Sequence, residues 1–218
     1  MKKNLRFILS AVIIVVALAG CKKEASTKPT GPVSDSYWPP AAGNSWSYKD
    51  ATSEGVSNFT IEMTGGTHSI NNKTYYVSAS EKNGVNTMSY IYEADNIYTL
   101  RDTLDYLGTS LELPLCDDAH PAGYTWTIQP TDNGTIEGVP TQAINQIVST
   151  DGNMTVNGKN YTHVIHTEVL LQYDMGAGFE TVAMYDFYLA RGIGMIEADT
   201  WSGRTIIESE TLTAYSLK

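Results

Sequence analysis

Small clusters of Asn, Asp and Gly punctuate this chain at short intervals. Between them lie runs rich in β-branched and aromatic residues, a rhythm that favours antiparallel sheet over any other architecture. The clusters are Gly65-Gly66, Asn71-Asn72-Lys73, Asn83-Gly84, Asp132-Asn133-Gly134, Asp151-Gly152-Asn153 and Asn157-Gly158-Lys159. Each supplies residues that tolerate positive φ, as tight hairpin turns require, and connections this short favour hairpins over parallel crossovers. Strands are expected over 58–64, 74–80, 88–93, 97–101, 124–128, 143–150, 163–173, 181–189, 194–200 and 205–215. A single helical turn is expected around Thr103 to Ser110. The fold class that follows is all-β with a minor helix: a curved antiparallel sheet, either an open half-barrel or a sandwich of meanders.

The N-terminus follows different rules. Lys2, Lys3 and Arg6 precede an apolar stretch from Phe7 to Ala19, which ends in Leu18-Ala19-Gly20-Cys21. A basic start, a short apolar core and small residues before a cysteine describe a lipoprotein signal peptide, residues 1–20, with Cys21 as the lipid attachment residue. The apolar stretch is too short to cross a hydrocarbon layer of about 30 Å. Residues 21–36 then carry Lys, Glu, Ser, Thr, Pro and Gly with almost nothing to bury, the composition of a disordered tether. Residues 37–218 are long enough for one β domain with its own core.

Removing the signal leaves 11 basic residues against 24 acidic ones, a formal charge of −13. That balance argues against nucleic acid as a partner, since phosphate binding needs a positive footprint. With Cys21 lipidated, Cys116 has no intramolecular partner, so no disulfide supports the fold. A lysine at position 22, where retention in the inner membrane would favour aspartate, points to the outer membrane. The face on which the domain sits is open. The expected partners are the membrane, through palmitate and related acyl chains, a small apolar molecule or glycan, and an envelope protein.

Three segment pairs repeat in order: Gly43 to Ser47 with Gly123 to Thr127, Ile70 to Tyr75 with Val156 to Tyr161, and Tyr92 to Ile97 with Tyr188 to Ile193. An internal duplication dividing the domain into 37–115 and 116–218 is one reading. The other is that hairpins reuse the same turn residues. The opening Tyr37-Trp38-Pro39-Pro40, followed by Gly43-Asn44-Ser45-Trp46-Ser47-Tyr48, and the later Ala190-Arg191-Gly192-Ile193-Gly194 resemble a group of uncharacterised lipoproteins of Bacteroidota. The resemblance implies a strongly curved sheet, similar to the open half-barrel of the carrier LolA, and brings no catalytic residues. Trp46 then reads as a core anchor, and Gly192 and Gly194 as a bend between strands.

Chemistry is sparse. His163 and His166 are three apart, which on a strand places them on opposite faces and denies them one metal ion. Cys116-Asp117-Asp118-Ala119-His120 gathers a thiol, two carboxylates and an imidazole in one loop, the one hint of a hydrolase or of zinc. No nucleophile elbow, zinc-binding helix or phosphate loop is present, and no metal or cofactor is expected. The chain instead carries 14 Tyr and 4 Trp against 4 Phe. Tyr and Trp suit half-wet binding surfaces. Tyr90 and Tyr92 share one strand face, and Tyr185 and Phe187 another, which makes these four the candidate ligand-binding residues. The leading expectation is a non-catalytic binding module for an apolar ligand or glycan. A structural or assembly lipoprotein is the alternative, and a hydrolase at the 116–120 loop the third.

Overall fold

The computed structural model describes residues 35–104 and 108–218. The signal segment, Cys21 and the tether up to residue 34 lie outside the described residues. Thirteen strands form the domain: β1 (Ser45–Thr52), β2 (Gly55–Ile70), β3 (Lys73–Lys82), β4 (Val85–Ala94), β5 (Ile97–Leu104), β6 (Thr109–Asp117), β7 (Thr125–Ile128), β8 (Thr135–Ile136), β9 (Val139–Val156), β10 (Lys159–Asp174), β11 (Phe179–Ala190), β12 (Gly194–Ser202) and β13 (Thr205–Ser216). They make one antiparallel sheet ordered β6-β5-β4-β3-β2-β1-β13-β12-β11-β10-β9-β7, with β8 paired to β9 off this path. The sheet does not close into a barrel.

Of the expected helical turn at Thr103 to Ser110, residues 105–107 lie outside the described residues, and those on either side are paired strand rather than helix. Thr103 pairs with Ser110 and Leu104 with Thr109. Two expected turns are also strand interior. Gly65-Gly66 and Asp151-Gly152 sit at register breaks within β2 and β9, where Gly65 (φ 78°) and Asp151 (φ 56°) give the bulges the same positive φ a turn would need. The remaining hairpins turn on pairs such as Asn71-Asn72 and Asn157-Gly158, with positive φ at both residues.

The chain runs as two consecutive meanders, β1 to β6 and β7 to β13, laid along the sheet in the same sense. The echoed segments occupy equivalent places in them. With the two-residue β8 left out, Trp46 and Trp126 lie on the first strand of each, Asn71 and Asn157 in the turn between the second and third, and Asp95 and Gly192 in the turn between the fourth and fifth.

Curvature brings the β6 wing against β9, β10 and β11. Leu111, Leu113 and Leu115 of β6 thereby join Ile147, Ile165, Val169, Leu171 and Leu189 in one core. Burial of this kind contributes roughly 25 cal/mol per Å² of apolar surface. The N-terminal segment plugs one end. Trp38 lies against Trp46 with ring centroids 5.4 Å apart, and the Trp46 indole donates to the Ile193 carbonyl at 2.6 Å. Tyr48 donates to the Met195 carbonyl at 2.8 Å. Gly194 (φ 117°) passes so close that an added Cβ would lie 3.0 Å from the Trp46 indole nitrogen. The bend at Gly194 and the anchor at Trp46 are therefore one contact.

Candidate functional site

Strand register separates the four candidate ligand-binding residues. Phe187 pairs with Ala198, which pairs with Glu210, which pairs with Asp50, so Tyr185 and Phe187 lie on the concave face with Tyr48. Their rings are parallel at 6.1 Å, and both side chains are buried in the core. The β6 wing folds over this part of the sheet, so leucine side chains fill the space an open groove would leave for a ligand.

Tyr90 and Tyr92 belong to the opposite face. Tyr90 pairs with Val77 and Arg101, Tyr92 with Thr99, and Arg101 with Glu112. On this outer face the rings of Tyr90 and Tyr92 surround Tyr75 at centroid distances of 6.5 and 5.7 Å. His68 lies 5.4 Å from Tyr90, and the Lys73 ammonium 5.1 Å from the centre of Tyr92. Both candidate rings are half-buried.

A charged network borders these rings. Glu112 accepts from Lys73 Nζ and from the Tyr75 hydroxyl, each at 2.6 Å, and from Thr99 at 3.2 Å. Arg101 forks onto Asp132, with Nη1 to Oδ1 at 3.0 Å and Nη2 to Oδ2 at 2.6 Å, the planar two-point geometry that guanidinium and carboxylate favour. Asn71 adds a bond of 2.8 Å to Asp132. Burial pushes the Glu112 carboxyl up, but the Lys73 and Tyr75 hydrogen bonds outweigh it and hold the group below its usual range. The Arg101 fork does the same for Asp132. Both carboxylates are therefore ionised at neutral pH and held by fixed donors. The face combines flat rings with oriented charges, which suits recognition of a polar molecule that also has apolar faces.

The remaining candidates are scattered. Cys116 is fully buried, and burial pushes its thiol well up, so it is not a ready nucleophile. Asp117 pairs with His120 Nδ1 at 2.8 Å, while the His120 ring stacks on Tyr124 at 3.7 Å and Tyr124 on Trp126 at 5.5 Å. His163 pairs with Asp151, and His166 with Asp186 at 2.7 Å, so the two histidines serve different carboxylates.

Sequence reasoning missed Tyr75, Arg101, Glu112 and Asp132. The one available signal was Glu112 itself, a single acid inside the apolar run Leu111-Glu112-Leu113-Pro114-Leu115, which marks a polar partner on the other side of the strand.

No protein-family model matches the chain, and no curated protein matches it in sequence. Among solved structures, a protein described as a lipoprotein from Parabacteroides distasonis ATCC 8503 is similar with a TM-score of 0.52 at 9% identity, over 84% of this chain and 99% of that one. A protein described as exported, with a YmcC-like fold, from Bacteroides fragilis NCTC 9343 gives a TM-score of 0.47 at 9% identity, over 83% of this chain and 98% of that one. At such identity the likeness to the first speaks to the fold alone.

Proposed function

We propose that this chain is a lipid-anchored envelope protein, held on the outer membrane through Cys21, whose β domain binds a glycan on the outer face of β3 to β6 without catalysing a reaction. The observation that carries this reading is the pair of half-buried rings Tyr90 and Tyr92, backed by the buried Tyr75 and bordered by Glu112 and by the exposed Asp132 that the buried Arg101 holds. A sugar ring offers C–H faces that rest on aromatic rings, and hydroxyls that pair with a carboxylate or guanidinium at its edge. The ionised network favours a glycan over a purely apolar ligand, which would strand those charges without water. The fold shared with a protein described as a lipoprotein supports the anchored setting.

The test is a glycan array followed by calorimetry, using the full chain in detergent. Tyr90→Ala and Tyr92→Ala are each expected to weaken binding about tenfold, roughly 1.4 kcal/mol, with the melting temperature retained. Unchanged affinity in the double variant would reject the reading.

A second reading, assembly with another envelope protein, is favoured by a different feature. Val56, Val85, Met175, Phe179 and Ile206 are exposed, and all lie beside hairpins that turn at the same end of the sheet. Photo-crosslinking from position 179 in cells separates the two: a discrete protein adduct supports assembly.

A further inference from the structure

We propose that a cleft beside the β9–β10 bulge is a separate site for a neutral, polyhydroxylated ligand the size of one or two sugar units. It has a volume of about 380 Å³, within the range of small-molecule sites, with Ile165 in its lining. Its polar lining comes from four parts of the chain: Tyr37 of the N-terminal plug, Asp118 after β6, Thr150, Asp151 and His163 of the β9–β10 pair, and Arg191 of the β11–β12 turn.

The unfilled positions define the ligand. Asp118 lines the cleft, and its Oδ1, buried beneath that lining, has no hydrogen-bond partner. His163 uses Nδ1 on Asp151, which leaves Nε2, on an exposed ring, for a further hydrogen bond. The Arg191 guanidinium, 5.3 Å from the centre of the Tyr37 ring, brings further N–H donors, and Thr150 can play either part. A ligand that satisfies these groups must carry several hydroxyl donors and at least one acceptor.

Charge narrows the class. Arg191 lies close to Asp118, and His163 is paired to Asp151, so each cationic or potentially cationic group has a carboxylate near it. An anionic ligand would meet Asp118 and Asp151, and a cationic one Arg191. A neutral polyol meets neither penalty.

The backbone is consistent with a site fixed for use. Asp151 (φ 56°) and His163 (φ 54°) are both non-glycine residues in the left-handed region, at adjoining register breaks. Such conformations cluster where side chains are re-aimed for function. None of these residues belongs to the tyrosine platform on β3 to β6, so the cleft does not depend on the reading proposed for that face.

The experiment is saturation-transfer NMR on the full chain in detergent, with methyl glucoside and N-acetylglucosamine as neutral probes and glucuronate and glucosamine as charged ones. Neutral probes should receive saturation. In a chain already carrying Tyr90→Ala and Tyr92→Ala, so that the platform has lost its rings, Asp118→Asn should reduce it severalfold, as should Thr150→Trp, which blocks the cleft from an exposed position. No transfer to the neutral probes would overturn the proposal. So would stronger transfer to either charged probe, or transfer that the Tyr90→Ala and Tyr92→Ala background already abolishes, which would return the signal to the platform.

Discussion

Lys82 Nζ lies 2.7 Å from Asp50 Oδ2 on the concave face, with both side chains under 5% exposed. The Ser57 hydroxyl donates to the same oxygen at 3.3 Å, while Asp50 Oδ1 accepts no hydrogen bond. Charges taken out of water need their partners, and removing one leaves the other stranded at a cost of about 3–5 kcal/mol. Lys82→Met is therefore expected to destabilise the domain by that order in urea melts. The double change Asp50→Leu with Lys82→Met should recover most of the loss. A double variant as unstable as the single one would mean the pair is not the source.

Acidic neighbours of this pair give the protein an unusual pH dependence. Glu210 is paired with Asp50 in the register and Glu208 with Thr52. Burial first, then the adjacent carboxylates, raise Glu208 to about 8 and Glu210 to about 7. The folded state then holds protons that the unfolded state, with carboxyls near 4.3, has released, so stability falls as pH rises. The contribution is complete below about pH 4.3 and is lost as pH climbs through 7 to 8. Glu112 and Asp132 act in the opposite direction, since their lowered values stabilise the fold at neutral pH and that support is lost in acid. Melting temperature should peak in the mildly acidic range and decline towards pH 8. Glu208→Gln with Glu210→Gln should flatten the alkaline side, and an unchanged slope would refute the assignment.

Gly194→Ala tests the bend against the anchor. The new methyl would meet the Trp46 indole at 3.0 Å in a backbone conformation that L side chains rarely adopt. The indole must then give by a few tenths of an ångström, which strains its 2.6 Å bond to the Ile193 carbonyl. A loss of about 1–3 kcal/mol is expected, with a red shift in tryptophan emission as Trp46 loosens. Stability at the wild-type level would show that the contact yields without cost.

The hairpin rhythm was readable because turn chemistry is local: Asn71-Asn72 and Asn157-Gly158 need no distant partner to adopt positive φ. Three strands escaped the reading, the two-residue β8 among them. In β1, Lys49 and Asp50 obscure the alternation of Trp46 and Tyr48, and Asp50 is buried only because Lys82 arrives from β3. In β6, Pro114 argues against a strand, yet β6 forms an end of the sheet, where a missing N–H is tolerated. Losing β6 also hid the charged network, because Glu112 reaches Tyr75 and Lys73 only through three intervening strand pairings. Asp151-Gly152 shows the limit of turn chemistry, since a bulge and a turn ask for the same residues. Which tyrosines were core and which were surface depended on the wing folding over β9 to β11, a long-range event with no local signature.

The lipidation proposed for Cys21 predicts a simple partition. The wild-type chain should take up labelled palmitate and sediment with membranes. Cys21→Ser should lose the label and appear in the soluble envelope fraction with its β domain folded. A Cys21→Ser chain that still sediments with membranes after a salt wash would point to a second membrane attachment.

Cys116 separates the binding reading from the hydrolase expectation. Its side chain is fully buried, and burial, then Asp118 and Asp117, push the thiol well above its ordinary value. A thiolate is the reactive form, so native protein at pH 8 should resist iodoacetamide, whereas urea should expose one fast-reacting thiol in the lipidated chain. Cys116→Ala or Cys116→Val should keep any glycan binding intact, with a modest change in stability set by how well the core closes around the new side chain. Rapid native alkylation that also abolished ligand binding would place the thiol at a working surface and reopen the catalytic reading of the 116–120 loop.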